Sequence, residues 1–127
     1  MRELSLLLVD DHEAFLNAAR RQLRPYPWIR LLGVALNGRE AVLRTEELRP
    51  DVVVMDLAMP EMGGLQATRL IKAQDQPPIV VIASHFDDAE HREHAARAGA
   101  DAFIGKAEYA RDLMAILERL AAESTGA

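Results

Sequence analysis

The residues best suited to chemistry lie directly after short apolar runs. Asp10-Asp11 follows Leu4-Ser5-Leu6-Leu7-Leu8-Val9, and Asp56 follows Asp51-Val52-Val53-Val54-Met55. Ser84 follows Pro78-Ile79-Val80-Val81-Ile82-Ala83, and Lys106 comes just after Ala102-Phe103-Ile104. Three carboxylates gathered at one place repel one another and resist ionising unless a cation joins them. Magnesium suits such a set, because it is a hard ion that prefers oxygen ligands and keeps several waters. One carboxylate of the set can then attack phosphorus, with the metal and the lysine neutralising the transferring oxygens and the hydroxyl donating to one of them.

Taken singly, each residue has an ordinary reading. An aspartate after a strand is often a turn residue or a helix cap, a serine likewise, and a lone lysine is a solvated charge. What separates the set from that background is position. Nearly continuous apolar runs mark strands buried on both faces, as in a parallel sheet. Ligands of an open parallel sheet bind beyond the carboxyl ends of the strands, where all of these residues would sit.

The elements that would place them there alternate along the chain. A weaker run from Ile29 to Leu36 follows a proline-rich turn (Pro25, Pro27) and reads as a further strand. Phe15, Ala18, Ala19 and Leu23 share a helical face, as do Leu113, Ile116, Leu117 and Leu120. Helices are also predicted over 38–48, 65–72 and 87–98, the last capped by Asp87 or Asp88 and stopped at Gly99. The order is (βα)5, an α/β domain with a parallel sheet covered on both sides. Residues 1–122 are expected to form the domain, with 123–127 as a tail or a truncated linker.

Composition narrows the function classes. The chain has 127 residues, half of them apolar, enough for one domain with its own core. It has no cysteine, so disulfides and thiolate metal sites are excluded. Its net charge of −5 argues against direct nucleic-acid binding. No apolar run is long enough to cross a bilayer, and the N-terminus lacks the layout of a signal peptide, so a cytoplasmic location is expected. His91 and His94 share a face of the fourth helix with Glu90 and read as part of a solvated surface.

With these pieces in place, the chain resembles the receiver domains of two-component response regulators over nearly its full length. The match rests on Val9-Asp10-Asp11-His12, on Pro50 through Pro60 with Gly64 following, on Ala83-Ser84, and on Gly99 through Lys106. The resemblance implies a single doubly wound, flavodoxin-like domain with strand order 2-1-3-4-5. It implies Asp56 as phosphoacceptor, Asp11 as a direct Mg2+ ligand, Asp10 acting largely through water, and the Ala58 carbonyl as a further ligand. Ser84 and Lys106 would hold the phosphoryl oxygens, and Phe103 occupies the place of an aromatic that swings inward on activation. The reading equally allows Phe103 to be a plain core residue.

The implied function is a phosphorylation-activated switch rather than an enzyme with a separate substrate. A sensor histidine kinase or phosphotransfer protein would donate the phosphoryl group, and an output domain or partner would receive the signal, with a homodimer left open. The added charge would draw Ser84 and Lys106 toward it and shift a pre-existing population in the fourth helix and fifth strand. Two other readings compete: a receiver-like interaction module working without phosphorylation, and a haloacid-dehalogenase-type phosphatase. The second expects Asp-x-Asp on the first strand, where this chain has adjacent Asp10-Asp11.

Three positions depart from the family pattern. Ala107 stands where many receivers have proline, a feature shared with receivers attached to helix-turn-helix output domains. His85 and Phe86 follow Ser84 where small residues are usual. Ala58 offers no polar group to orient an attacking water, which predicts slow hydrolysis of a phosphoaspartate.

Overall fold

A computed structural model describes residues 2–123. Five strands, β1 (Leu4–Val9), β2 (Ile29–Ala35), β3 (Val52–Met55), β4 (Ile79–Ser84) and β5 (Ala102–Gly105), alternate with five helices. These are α1 (Glu13–Leu23), α2 (Gly38–Leu48), α3 (Gly64–Lys72), α4 (Ala89–Ala98) and α5 (Tyr109–Ala122). A 3₁₀ turn, Lys106–Glu108, joins β5 to α5. The strands form one parallel sheet in the order β2-β1-β3-β4-β5. Of the tail expected at 123–127, residues 124–127 lie outside the described residues.

The apolar runs divide between two cores because successive strand side chains point to opposite faces. Leu4, Leu6 and Leu8 of β1 share one core with Val52, Val54, Val81 and Ala83. Leu7 and Val9 share the other with Val53, Met55, Val80 and Ile82. The first core is closed by α1 and α5 through Leu16, Ala19, Leu23, Leu113 and Leu117. The second is closed by α2, α3 and α4 through Ala41, Ala67, Ile71 and Ala95. Burial on both faces explains the runs without polar alternation, and each fully buried Val or Leu contributes about 1.5–3 kcal/mol.

Helix faces and ends differ from expectation in detail. In α1 the buried stripe is Leu16, Ala19 and Leu23, with Phe15 half-buried beside it and Ala18 exposed. The fourth helix starts at Ala89, and its cap is Asp88, whose carboxylate accepts from the His91 N–H at 2.9 Å. It stops at Gly99, whose φ of 106° is a left-handed conformation that disfavours a side chain.

Two residues at the β1/β3 edge position the candidate site. The Asp10 N–H donates to the Ala35 carbonyl at 3.0 Å, and the Asp56 N–H donates to the Val9 carbonyl at 3.1 Å. Both are thus the last rungs of neighbouring strands, held by sheet hydrogen bonds. The loop after Asp56 folds back on itself where Gly64 N–H meets the Leu57 carbonyl at 2.8 Å. A Cβ at Gly64 would lie 2.2 Å from the Asp56 carbonyl oxygen, so this return requires glycine.

Candidate functional site

Strand ends bring Asp10, Asp11, Asp56 and Lys106 together. Lys106 Nζ donates to Asp10 Oδ2 at 2.6 Å and lies 3.6 Å from Asp56 Oδ1. The lysine and Asp10 side chains are each only 2 % exposed. A buried ammonium persists only when paired and hydrogen-bonded, and here two carboxylates supply that pairing. The Phe15 ring lies 4.2 Å beneath the same ammonium, and Tyr109 packs edge-on against Phe15 at 4.8 Å. The aromatic pair forms a wall that keeps the lysine aimed at the acidic residues.

Asp56 is 6 % exposed, and its Oδ1 accepts from the Leu57 N–H at 2.9 Å. Burial pushes its carboxyl pKa above the usual carboxylate range; Lys106 opposes the rise, and Asp10 and Asp11 add to it. His12 closes the cluster from the solvent side. Its N–H donates to Asp10 Oδ1 at 2.9 Å, and its Nδ1 lies 3.0 Å from Asp10 Oδ1 and 3.2 Å from Asp11 Oδ1. The hydrogen bond to Asp10, then the charge of Asp11, raise the His12 pKa. Burial raises that of Tyr109 well above its usual range.

One ligand atom from each of Asp10, Asp11, His12 and Asp56 falls within a span of 4.8 Å. A hard divalent cation fits this donor set: three carboxylates face one point, and only Asp10 and Asp56 lie near the fixed positive charge of Lys106.

The remaining expected residues occupy the same edge without joining the cluster. Ser84 is buried as the last residue of β4, and its Oγ accepts from the Phe86 N–H at 3.0 Å, leaving its own proton free to donate. Ala58 is exposed in the loop two residues beyond Asp56. A cleft lined by Ser84, His85, Asp87, Gly105 and Lys106 opens beside them. Phe103 is half-buried on β5, packed against the second core and covered by Arg92. His91 pairs with Asp88 at 2.8 Å.

Sequence reasoning placed Phe15 on the apolar face of the first helix and His12 in the family motif, but gave neither of them, nor Arg92, a role in the site. His12 carried a signal in standing next to two aspartates. Phe15 and Arg92 carried none, because their partners Lys106 and Phe103 are remote in the chain.

Comparison with known proteins agrees with this geometry. The family model for the response regulator receiver domain matches residues 6–118. A protein-glutamate methylesterase/protein-glutamine glutaminase of Alkalilimnicola ehrlichii is 41% identical over 101 residues, covering 79% of this chain and 26% of that protein. The DNA-binding transcriptional activator EvgA of Escherichia coli K12 is 30% identical over 115 residues, covering 91% of this chain and 56% of that protein. The response regulator domain of Thermotoga maritima CheB superposes with a TM-score of 0.86 at 28% identity, covering 97% of this chain and 99% of that one. The chain spans about a quarter to a third of the methylesterase relatives it matches. Fold, strand order and matched span agree: this chain belongs to the response regulator receiver domain family.

Proposed function

We propose that Asp56 accepts a phosphoryl group from the phosphohistidine of a sensor kinase or phosphotransfer protein, and that the phosphorylated domain controls an output domain or partner. The observation that carries this reading is the near-buried Asp56 carboxylate, 3.6 Å from a lysine ammonium and within one small span of two further aspartates. A purely structural ion pair would need no such surplus of carboxylates.

Asp11, Asp56 and the Ala58 carbonyl would hold Mg2+, with Asp10 acting largely through water. The ion, when bound, neutralises carboxylate and phosphoryl oxygens and so lets an anionic nucleophile approach an anionic donor. An Asp56 carboxylate oxygen forms the new bond to phosphorus as the phosphorus–nitrogen bond breaks, and the electron pair leaves with the imidazole. Lys106 bridges from Asp10 toward the incoming phosphoryl oxygens. The free Ser84 proton donates to another of them, and the β4–α4 loop follows.

The domain would comprise residues 1–122, with 123–127 a tail or the start of a linker. Its whole relatives include an enzyme and a DNA-binding activator, so an output domain of either kind is compatible with this switch, as is a separate partner protein. Among the described residues no helix is long and apolar enough to cross a membrane, and a cytoplasmic setting fits a kinase-fed switch. The negative charge favours protein partners over direct nucleic-acid contact.

Incubation with acetyl phosphate and MgCl2, followed by intact-mass measurement, tests the reading. One phosphoryl adduct on the wild type and none on Asp56→Asn is expected. No adduct on either would favour a module that works unphosphorylated, while steady turnover of phosphate esters would favour a phosphatase.

A further inference from the structure

His12 is neither an aspartate ligand nor a phosphoryl contact, yet its ring is the third wall of the acidic cluster. Its Nδ1 stands 3.0 Å from Asp10 Oδ1 and 3.2 Å from Asp11 Oδ1. Adjacent ligands on an octahedral ion with bonds of about 2.1 Å lie about 3.0 Å apart. The nitrogen and the Asp11 oxygen therefore already have about the spacing of neighbouring ligands, with Asp10 Oδ1 beside them where it can hold a bound water. Asp56 completes the set, all four ligand atoms lying within 4.8 Å of one another.

The backbone places the ring there. His12 precedes α1 as its N-cap residue, in an extended conformation, and its side chain makes no capping hydrogen bond. It is thus free of a structural duty at the helix end. The side chain is 66 % exposed, so it can adjust to an ion without disturbing the core. Lys106 engages the other Asp10 oxygen, leaving Oδ1 on the His12 side.

We infer that His12 is a nitrogen ligand of this centre and tilts its choice of ion from Mg2+ toward first-row transition ions such as Mn2+ and Co2+. Magnesium takes oxygen ligands almost exclusively and gains little from an imidazole. Imidazole bonds strengthen along the transition series, so a mixed nitrogen and oxygen set narrows or reverses the preference that an all-oxygen set would have. The inference rests on the proposed metal role of Asp11 and Asp56, and it adds ion selectivity to that role.

Titration calorimetry of the full chain with MgCl2, MnCl2 and CoCl2 tests it at fixed neutral pH. His12→Ala should weaken Co2+ binding by at least about tenfold, the loss typical when the support of a metal site is removed, and leave Mg2+ within about twofold. His12→Asn, which restores bulk and polarity but no imidazole, should behave like His12→Ala for Co2+. A His91→Ala, His94→Ala double variant should bind Co2+ as the wild type does, and loss of binding there would move the ion to α4 and overturn the inference. Equal effects of His12→Ala on Mg2+ and Co2+, or none on either, would also overturn it while leaving the carboxylate site intact. Mg2+ binding that survives Asp11→Asn unchanged would instead bring down the carboxylate site itself, and the His12 assignment with it.

Discussion

The Arg92 guanidinium lies 4.9 Å above the Phe103 ring, and the same side chain donates from Nε to Asp87 Oδ1 at 2.5 Å. Asp87 in turn packs over Gly105, where a Cβ would come within 2.7 Å of its Oδ2. The loop that follows Ser84, the helix α4 and the aromatic of β5 are therefore tied by one arginine. Movement of Ser84 toward a phosphoryl group would pull on Asp87 and loosen the cover over Phe103.

Arg92→Ala is expected to favour the inward position of Phe103. A cation–π contact at a half-exposed site is worth about 0.5–1 kcal/mol, which corresponds to a two- to fivefold change in population. The measurement is the chemical shift of the Phe103 ring protons in the unphosphorylated domain, which should move part of the way toward the phosphorylated position. Asp87→Ala should produce a smaller displacement in the same direction. A ring signal that stays put in both variants would leave Phe103 as a plain core residue.

Lys106 leads to a second expectation, about stability. Its ammonium is buried between Asp10 and Asp56, and removal of one partner of a buried ion pair leaves charge without compensation. Lys106→Met should lower the unfolding free energy by about 3 kcal/mol at neutral pH, read from urea denaturation. The Lys106→Met, Asp10→Asn double variant should recover part of that loss, because one of the two carboxylates left unpaired is gone. Additive losses in the cycle would mean that the pair is not coupled.

Much of this arrangement was legible in the chain because double-sided burial writes itself as apolar runs. Leu4–Val9 and Gly38–Leu48 have the predicted bounds, and the residues just beyond the strands arrive at one edge as expected. Where two equivalent residues compete, sequence could not choose: Asp87 and Asp88 both suit a cap, and geometry gives the cap to Asp88 and the arginine to Asp87. The small Ala18 fits the spacing of the α1 stripe but faces solvent, since an alanine tolerates either side. The pairing of Lys106 with Asp10 spans 96 residues, and its aromatic wall follows from that closure rather than from any local pattern. Long-range side-chain contacts of this kind have no periodic signature.

Asp56 carries a pH-dependent expectation. Its folded pKa lies above the ordinary value of 3.8, chiefly through burial. The folded state thus holds the proton more tightly than the unfolded chain, and that contribution to stability is full below 3.8 and lost as pH rises through the folded pKa. Asp56→Asn has no such loss. Its Tm should exceed that of the wild type at pH 7 without divalent ions, by about 4 °C for each kcal/mol gained in a domain of this size. The advantage should shrink as pH falls below 3.8. Added MgCl2 should stabilise the wild type more than the variant, because only the wild type keeps the Asp56 carboxylate. A wild type that gains stability on passing from pH 3 to pH 7 relative to Asp56→Asn would contradict the sign.

Ala58, two residues beyond Asp56, and His85, next to Ser84, separate two ways of setting the signal's duration. Ala58 is exposed and offers no polar atom on its side chain, so nothing there orients a water against a phosphoaspartate. Ala58→Asn should shorten the phosphoryl lifetime by about fivefold, the rate equivalent of one positioned hydrogen bond of about 1 kcal/mol. The exposed site makes a cost to folding small, and an unchanged Tm would verify that. His85 lies beside Ser84 in the cleft that includes Lys106, a place from which its side chain would act on entry of the donor rather than on hydrolysis. His85→Gly should speed uptake from acetyl phosphate and leave the lifetime alone. Time courses of the phosphorylated mass after removal of the donor measure the lifetime, and those after its addition measure entry. Equal lifetimes for wild type and Ala58→Asn would remove the idea that position 58 sets the rate of hydrolysis.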